Sequence, residues 1–177
     1  KKAKIHIKVD TGMSRIGVRA DEEGVCFVER AFETDGIEVE GIFTHFARAD
    51  EADKSAAEGQ IILFEQFLAL IKDRTGREIP LKHCSNSAGI LELPRANMDL
   101  VRAGITLYGL LPSNQVQKDI VRLAPALSLY STIVYVKEIQ KGTGVSYGST
   151  FVAEEKMRIA TIPIGYGDGY PRGLSGK

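Results

Sequence analysis

Apolar and polar residues alternate along Ile5-His6-Ile7-Lys8-Val9, the period-two pattern of a half-buried strand. The period then changes. Val25, Val28, Ala31 and Phe32 recur at helical spacing behind Asp21, a side chain suited to capping a helix N-terminus. A helix to about Thr34 is expected, with Gly36 at its C-terminal end. Ile37 to Thr44, "IEVEGIFT", is β-rich again. A polar loop, "ARADEADKSAAEG", is expected next, followed by a helix whose stripe is Ile61, Phe64, Phe67, Leu68 and Ile71 and which ends near Gly76. Pro80 to Cys84 predicts a short strand, "SNSAGIL" opens a short helix, and Met98 to Val101 predicts another short strand.

Strands alternating with helices imply βα units and a parallel sheet. Each predicted strand is followed by a distinctive polar group: Arg15, His45, Asn86 with Ser87, then Arg102. A (β/α)₈ barrel of the TIM type collects functional groups at the C-terminal ends of its strands, so four such ends would face one mouth. A doubly wound sheet is the alternative, but no Gly-rich dinucleotide turn follows a strand. Beyond "LLPSNQVQKD" the helical stripes stop. "ALSLYSTIVYVKEI", "VSYGSTFV" and "MRIATIPIGYG" read as strands separated by the turns "QKGTG" and "AEEK". Residues 1–123 are therefore expected to be the C-terminal part of a (β/α)₈ barrel, and residues 124–177 the beginning of an all-β C-terminal domain.

Composition narrows the function. The 177 residues carry 23 basic and 23 acidic side chains, which removes the electrostatic case for a nucleic-acid or acidic-membrane partner. Cys26 and Cys84 make neither a disulfide framework nor a zinc site, and read as reduced, buried thiols of a cytosolic protein. No apolar run approaches the ~18 residues of a membrane span, and no signal peptide is evident. The chain starts almost directly in a strand without Met and ends at "GYPRGLSGK"; an internal piece of a longer protein is expected. His6, His45 and His83 have no metal-ligand spacing, and no "GxSxG" elbow is present. Ser87 at a strand-to-helix junction and the amides of Gly104 and Ile105 after another strand suit an anion, which points to a phosphorylated cofactor.

The stretches "KVDTGMSRIGV", "GIFTHFARAD", "HCSNSAGIL", "VRAGITLYGLLPS", "PALSLYSTI", "VSYGSTF" and "IPIGYGDGYPR" resemble, in order and over nearly the whole chain, the central part of the alanine racemase family. The resemblance implies pyridoxal 5'-phosphate as cofactor, a (β/α)₈ barrel with a C-terminal β domain, and a cytoplasmic homodimer with active sites shared between subunits. It implies interconversion of L- and D-alanine by two-base exchange of the α-proton, supplying D-alanine for peptidoglycan. It also implies that the family's cofactor-binding lysine, in a "KANAYGHG"-type pattern, lies upstream of Lys1, so this piece alone is expected to be inactive.

Residue by residue, the resemblance implies that Arg102 faces the cofactor's pyridine nitrogen. Arginine keeps its proton, so that nitrogen stays unprotonated and the ring a weaker electron sink. His45 matches a histidine near the ring, and His83 one that contacts the arginine. Tyr147 matches the catalytic tyrosine that enters the partner's site. A phenol has a reference pKa near ~10, so cations of a His45–Arg102–His83 chain would help it act as a base. Ser87, Gly104 and Ile105 match phosphate-binding positions, and Tyr166 a tyrosine at the substrate entry. Two departures are mild: the family commonly has Ala at Gly167 and Gly at Ser14.

The turn Asp10-Thr11-Gly12 raises its own question, since Lys8 and Arg15 flank it with like charges. Arg15 matches an arginine that contacts the cofactor's phenolic oxygen. Lys8 matches a lysine often carried as a carbamate, which would turn repulsion into a bidentate attraction. Three rival readings remain: a serine or broad-specificity racemase of the same family; a non-catalytic pyridoxal-phosphate barrel protein, which would lack the β domain; and a barrel decarboxylase, whose glycine-rich phosphate loop is absent.

Overall fold

The computed structural model describes residues 1–174, so the last three residues of the expected 124–177 domain lie outside it. It divides into two compact units, Lys1–Leu127 and Ser128–Lys177.

The first unit is an arc of a (β/α) barrel. Strand β1 (Ala3–Asp10) is flanked by β2 (Val18–Arg19) and β3 (Ile37–Phe43), and β3 by β4 (Leu81–His83). All three pairings are parallel, in the order β2-β1-β3-β4. The crossovers are helices α1 (Glu22–Glu33) and α2 (Ser55–Thr75), and a short α3 (Ser87–Glu92) follows β4. Asp21 accepts from the Gly24 amide and so caps α1. Gly76, at φ 67°, closes α2 in the left-handed region that glycine enters without steric cost.

One face of the sheet packs on the helices. Ile7 and Val9 of β1, Val39 and Ile42 of β3, Val25 and Val28 of α1, and Ile61, Phe64 and Phe67 of α2 form one buried cluster. The other face carries His6, Lys8, Phe43 and His83, which touch one another rather than the helices. The change of face along β3 is not a simple alternation. Ile5 pairs with Val39 but His6 with Gly41, so β3 holds one extra residue, Glu40, in a bulge.

Five expectations are corrected. Cys84 is buried as expected, but Cys26 on α1 is exposed. The loop from Ala47 ends at Lys54, because "SAAEG" forms the first turns of α2. Ala57 is buried there, so small residues that read as polar linker are helix packing. Met98 to Val101 is not a strand. The segment runs beside β4 on the bonds Asp99 N to Lys82 O (3.0 Å) and Arg102 N to Ser85 O (3.1 Å). Met98 itself sits at φ 43°, where regular strand geometry ends.

In the second unit, only the end of "ALSLYSTIVYVKEI" is strand, β5 (Tyr135–Ile139), because its antiparallel partner β8 (Met157–Thr161) is five residues long. "VSYGSTFV" is likewise not one strand. It folds as a tight hairpin of β6 (Gly144–Val145) and β7 (Phe151–Val152), with Tyr147–Ser149 as a 3₁₀ turn between them. Ser146 and Ser149 hold positive φ in that loop, which lets it reverse within five residues.

Candidate functional site

Arg102 is the centre of the polar cluster at the C-terminal ends of β3 and β4. Its two terminal nitrogens donate to His83 Nδ1 (2.5 Å), the Thr44 carbonyl (2.8 Å), the Cys84 carbonyl (3.0 Å) and His45 Nδ1 (3.3 Å). The guanidinium also lies 5.1 Å from the centre of the Phe43 ring. A planar fork held by four acceptors cannot rotate without breaking several of them. Burial pushes its ionisation below the usual arginine value.

The two histidines stay neutral beside it. His83 is 4% exposed, and burial, then Arg102, then His6 push its pKa down to about 4. Its ring stacks on Phe43 with centroids 4.8 Å apart and planes 3° from parallel, a consequence of the Phe43–His83 register. Burial, Arg102, Arg15 and Lys8 lower His45.

Lys8 donates to the Val9 carbonyl at 2.5 Å and lies 5.8 Å from the Phe43 centroid. Burial leads the lowering of its pKa, opposed by Asp10 and assisted by Arg102 and Arg15. Asp10 does not neutralise it by contact. One Asp10 carboxylate oxygen accepts from the amides of Gly12, Met13 and Ser14, each at 3.0 Å, and thereby shapes the loop that carries Arg15. These bonds hold Asp10 below the usual carboxylate range. Gly12 sits at φ 137° and Ser14 at φ 55°, so the loop asks for a left-handed residue where this chain has serine. Arg15 is exposed at the rim. Among the described residues, Lys8, Arg15 and Arg102 make no ion pair with a carboxylate.

Ser87 Oγ accepts from the Gly104 amide (2.9 Å) and the Thr106 amide (3.3 Å) and pairs with Thr106 Oγ1 (3.1 Å). Ser87 and Gly104 therefore meet as expected, but Thr106 rather than Ile105 completes the cluster; the Ile105 side chain is exposed. The second unit brings Tyr147 and Tyr166 to one cavity of about 480 Å³, lined also by Ser146, Thr150, Tyr170 and Arg172. Tyr147 is 98% exposed and Tyr166 75%. Arg172 stacks 5.4 Å from the Tyr166 centroid.

Two contributors escape sequence reasoning. Gln60 of α2 donates to Thr11 Oγ1 (3.0 Å) and the His45 carbonyl (3.1 Å) and accepts from the Ala47 amide (2.9 Å). It ties the loops after β1 and β3 together, and Thr11 bonds Thr44 at 2.6 Å beneath them. A glutamine beside an apolar helical stripe gives no signal of this. The second is His6, which bonds His83 at 2.7 Å; its one signal is the face it shares with Lys8 in the alternating strand.

Among the described residues no group of His, Cys, Asp and Glu is arranged to hold a metal ion, and no helix is long and apolar enough to cross a membrane. Two family models match: the alanine racemase N-terminal domain over residues 1–112 and the alanine racemase C-terminal domain over residues 126–177. An alanine racemase of Desulforamulus reducens is 47% identical over 99% of this chain and 47% of its own length. A crystal structure of alanine racemase from E. faecalis superposes with TM-score 0.83 at 41% identity, covering 99% of this chain and 46% of that one. The alanine racemase of Bacillus anthracis, solved with bound L-Ala-P, does so with TM-score 0.79 at 37% identity, covering 99% and 45%. The chain spans about half the length of the relatives it matches.

Proposed function

Since this chain belongs to the alanine racemase family, we propose that it is part of an enzyme that interconverts L- and D-alanine with pyridoxal 5'-phosphate as cofactor. The observation that carries this reading is the arginine held between two neutral imidazoles, with no carboxylate among the described residues to neutralise it. A mouth carrying Arg15 and Arg102, neither of them ion-paired with a carboxylate among the described residues, suits an anionic, phosphorylated ligand. The donor chemistry therefore fits the cofactor.

Arg102 would face the ring nitrogen, with His45 beside the ring and His83 behind the arginine. Arg15 would reach the phenolic oxygen, and Ser87, the Ile105 amide and the Gly104 amide, once turned from Ser87 Oγ, would hold the phosphate. When bound, the cofactor supplies an electron sink that acidifies the α-hydrogen of an amino acid. Because Arg102 donates and cannot accept, it sets that sink at the weaker end, which suits plain proton exchange. Tyr147 would move one proton at the α-carbon, from the far face of the site and from the other subunit of a homodimer. The extreme exposure of Tyr147 on its hairpin supports a residue that works outside its own unit. Tyr166, on the same cavity, would line the substrate entry.

Lys8 would carry a carbamate. Carbamylation needs the neutral amine, and burial lowers the Lys8 pKa in that direction. The new carboxylate would pair with Arg15 and orient its fork. The same reading includes a cytoplasmic enzyme that supplies D-alanine for peptidoglycan.

The test is exchange of the alanine α-hydrogen with solvent by the full-length protein. Tyr147→Phe is expected to cut turnover by roughly a hundredfold or more, the scale of losing a positioned general base, while cofactor affinity stays within about twofold on that account. Equal losses in turnover and cofactor binding would make Tyr147 a packing residue and refute its role.

A further inference from the structure

His6 and His83 lie on strands that are not neighbours. β3 stands between β1 and β4, which places them roughly 10 Å apart at the backbone. Their rings nevertheless meet, Nδ1 of His6 to Nε2 of His83, at 2.7 Å. The space for this comes from Gly41. It is paired with His6 in register, and a Cβ built there would fall 2.4 Å from the His6 ring. Beyond His6, its Nε2 faces Glu40 Oε2 at 3.6 Å, and Glu40 in turn binds Lys4 at 2.5 Å. Glu40 is the extra residue of the β3 bulge.

The direction of these bonds follows from the arginine. Arg102 has only donors, so His83 Nδ1 must accept. His83 then carries its proton on Nε2 and donates it to His6 Nδ1. His6 holds its own proton on Nε2, toward the Glu40 carboxylate. Every proton in the chain Arg102–His83–His6–Glu40 points outward from the arginine.

Resting on the function proposed above, we propose that His6 is a positioning residue: it accepts the His83 Nε2 proton, locks that ring's tautomer and orientation, and so fixes the Arg102 fork at the cofactor. Without His6 the buried His83 N–H loses its acceptor, and the ring is free to turn away from Arg102.

The test uses full-length holoenzyme labelled with ¹⁵N-histidine. In the wild type, His83 is expected as the Nε2–H tautomer with that proton protected from exchange. His6→Leu should lose the protection and lower kcat roughly tenfold, the lower end of the effect of removing an outer partner, with KM for alanine little changed. His6→Asn, whose amide oxygen can accept the same proton, should keep the protection and recover most of the rate. Three results would each overturn the proposal: an Nδ1–H tautomer of His83 in the wild type, unchanged protection in His6→Leu, or equal losses in the Leu and Asn variants. A protected proton that His6→Leu removes, in an enzyme that racemises no alanine, would support His6 as the lock while refuting the proposed reaction.

Discussion

Asp10 is the carboxylate nearest to Lys8 in sequence, yet it spends one oxygen on three loop amides instead of pairing with the ammonium. The like charges of Lys8 and Arg15 thus stand as the sequence suggests, and the side chain's partial burial makes its cationic form costly. A density map of the full-length protein grown in CO₂-replete buffer should show a planar carboxylate on Lys8 Nζ within reach of Arg15. A bare ammonium at full occupancy would sink that modification. At this scale the meeting of Arg102 with His45 and His83, and of Ser87 with Gly104, is legible in the motifs that carry the family resemblance. Gln60 is not, because its value lies in three bonds to loops distant in sequence, and a polar helix residue looks the same whether it faces water or a loop backbone.

The secondary-structure elements are legible where periodicity is long. β1, α1, β3 and the body of α2 carry their apolar faces openly, and Asp21 marks the start of α1. Short pieces are not. Met98 to Val101 has strand-like composition but, among the described residues, one backbone–backbone bond to β4, Asp99 N to Lys82 O, and Tyr147 lies in a hairpin turn marked only by Gly148, whose positive φ is shared by two serines that give no such signal. β2, at two residues, is too short to show any period. The bulge in β3 yields an element-scale prediction. Gly41→Ala would drive its Cβ into the His6 ring, so the strand or the ring must shift. A loss of about 1–3 kcal/mol in unfolding free energy is expected, as for other overpacked sites, read by chemical denaturation. An unchanged midpoint would show that the two rings do not need this gap.

For the whole molecule, the buried neutral histidine couples stability to pH. The His83 pKa of about 4 lies below the ~6.5 of an unfolded histidine. Between those values the unfolded chain binds more protons than the folded one, so stability falls as the pH falls. His83's contribution is complete above about pH 6.5 and is lost as the pH drops toward 4. Asp10, whose folded pKa is lowered, acts in a separate window below the ordinary aspartate value of 3.8. Denaturation midpoints measured from pH 7 to pH 4.5 should therefore decline, and His83→Gln should flatten the decline. An equal slope in the variant would assign the effect elsewhere. The two-part architecture is legible because helical stripes stop where β-rich runs begin; the pairing within the second part is not, because strand length there is set by the partner strand rather than by composition.

The bulge at Glu40 is also a phase shift. Before it, Val39 belongs to the helix side; after it, Ile42 does, and Phe43 is turned to the polar side. A strand read by strict parity would assign Val39 and Phe43 to the same side. The single inserted residue half-turns the end of β3, so that an aromatic floor lies under His83 and the Thr44 carbonyl faces Arg102. In this fold, chain count along one strand, and not only residue type, decides which surface the chemistry occupies.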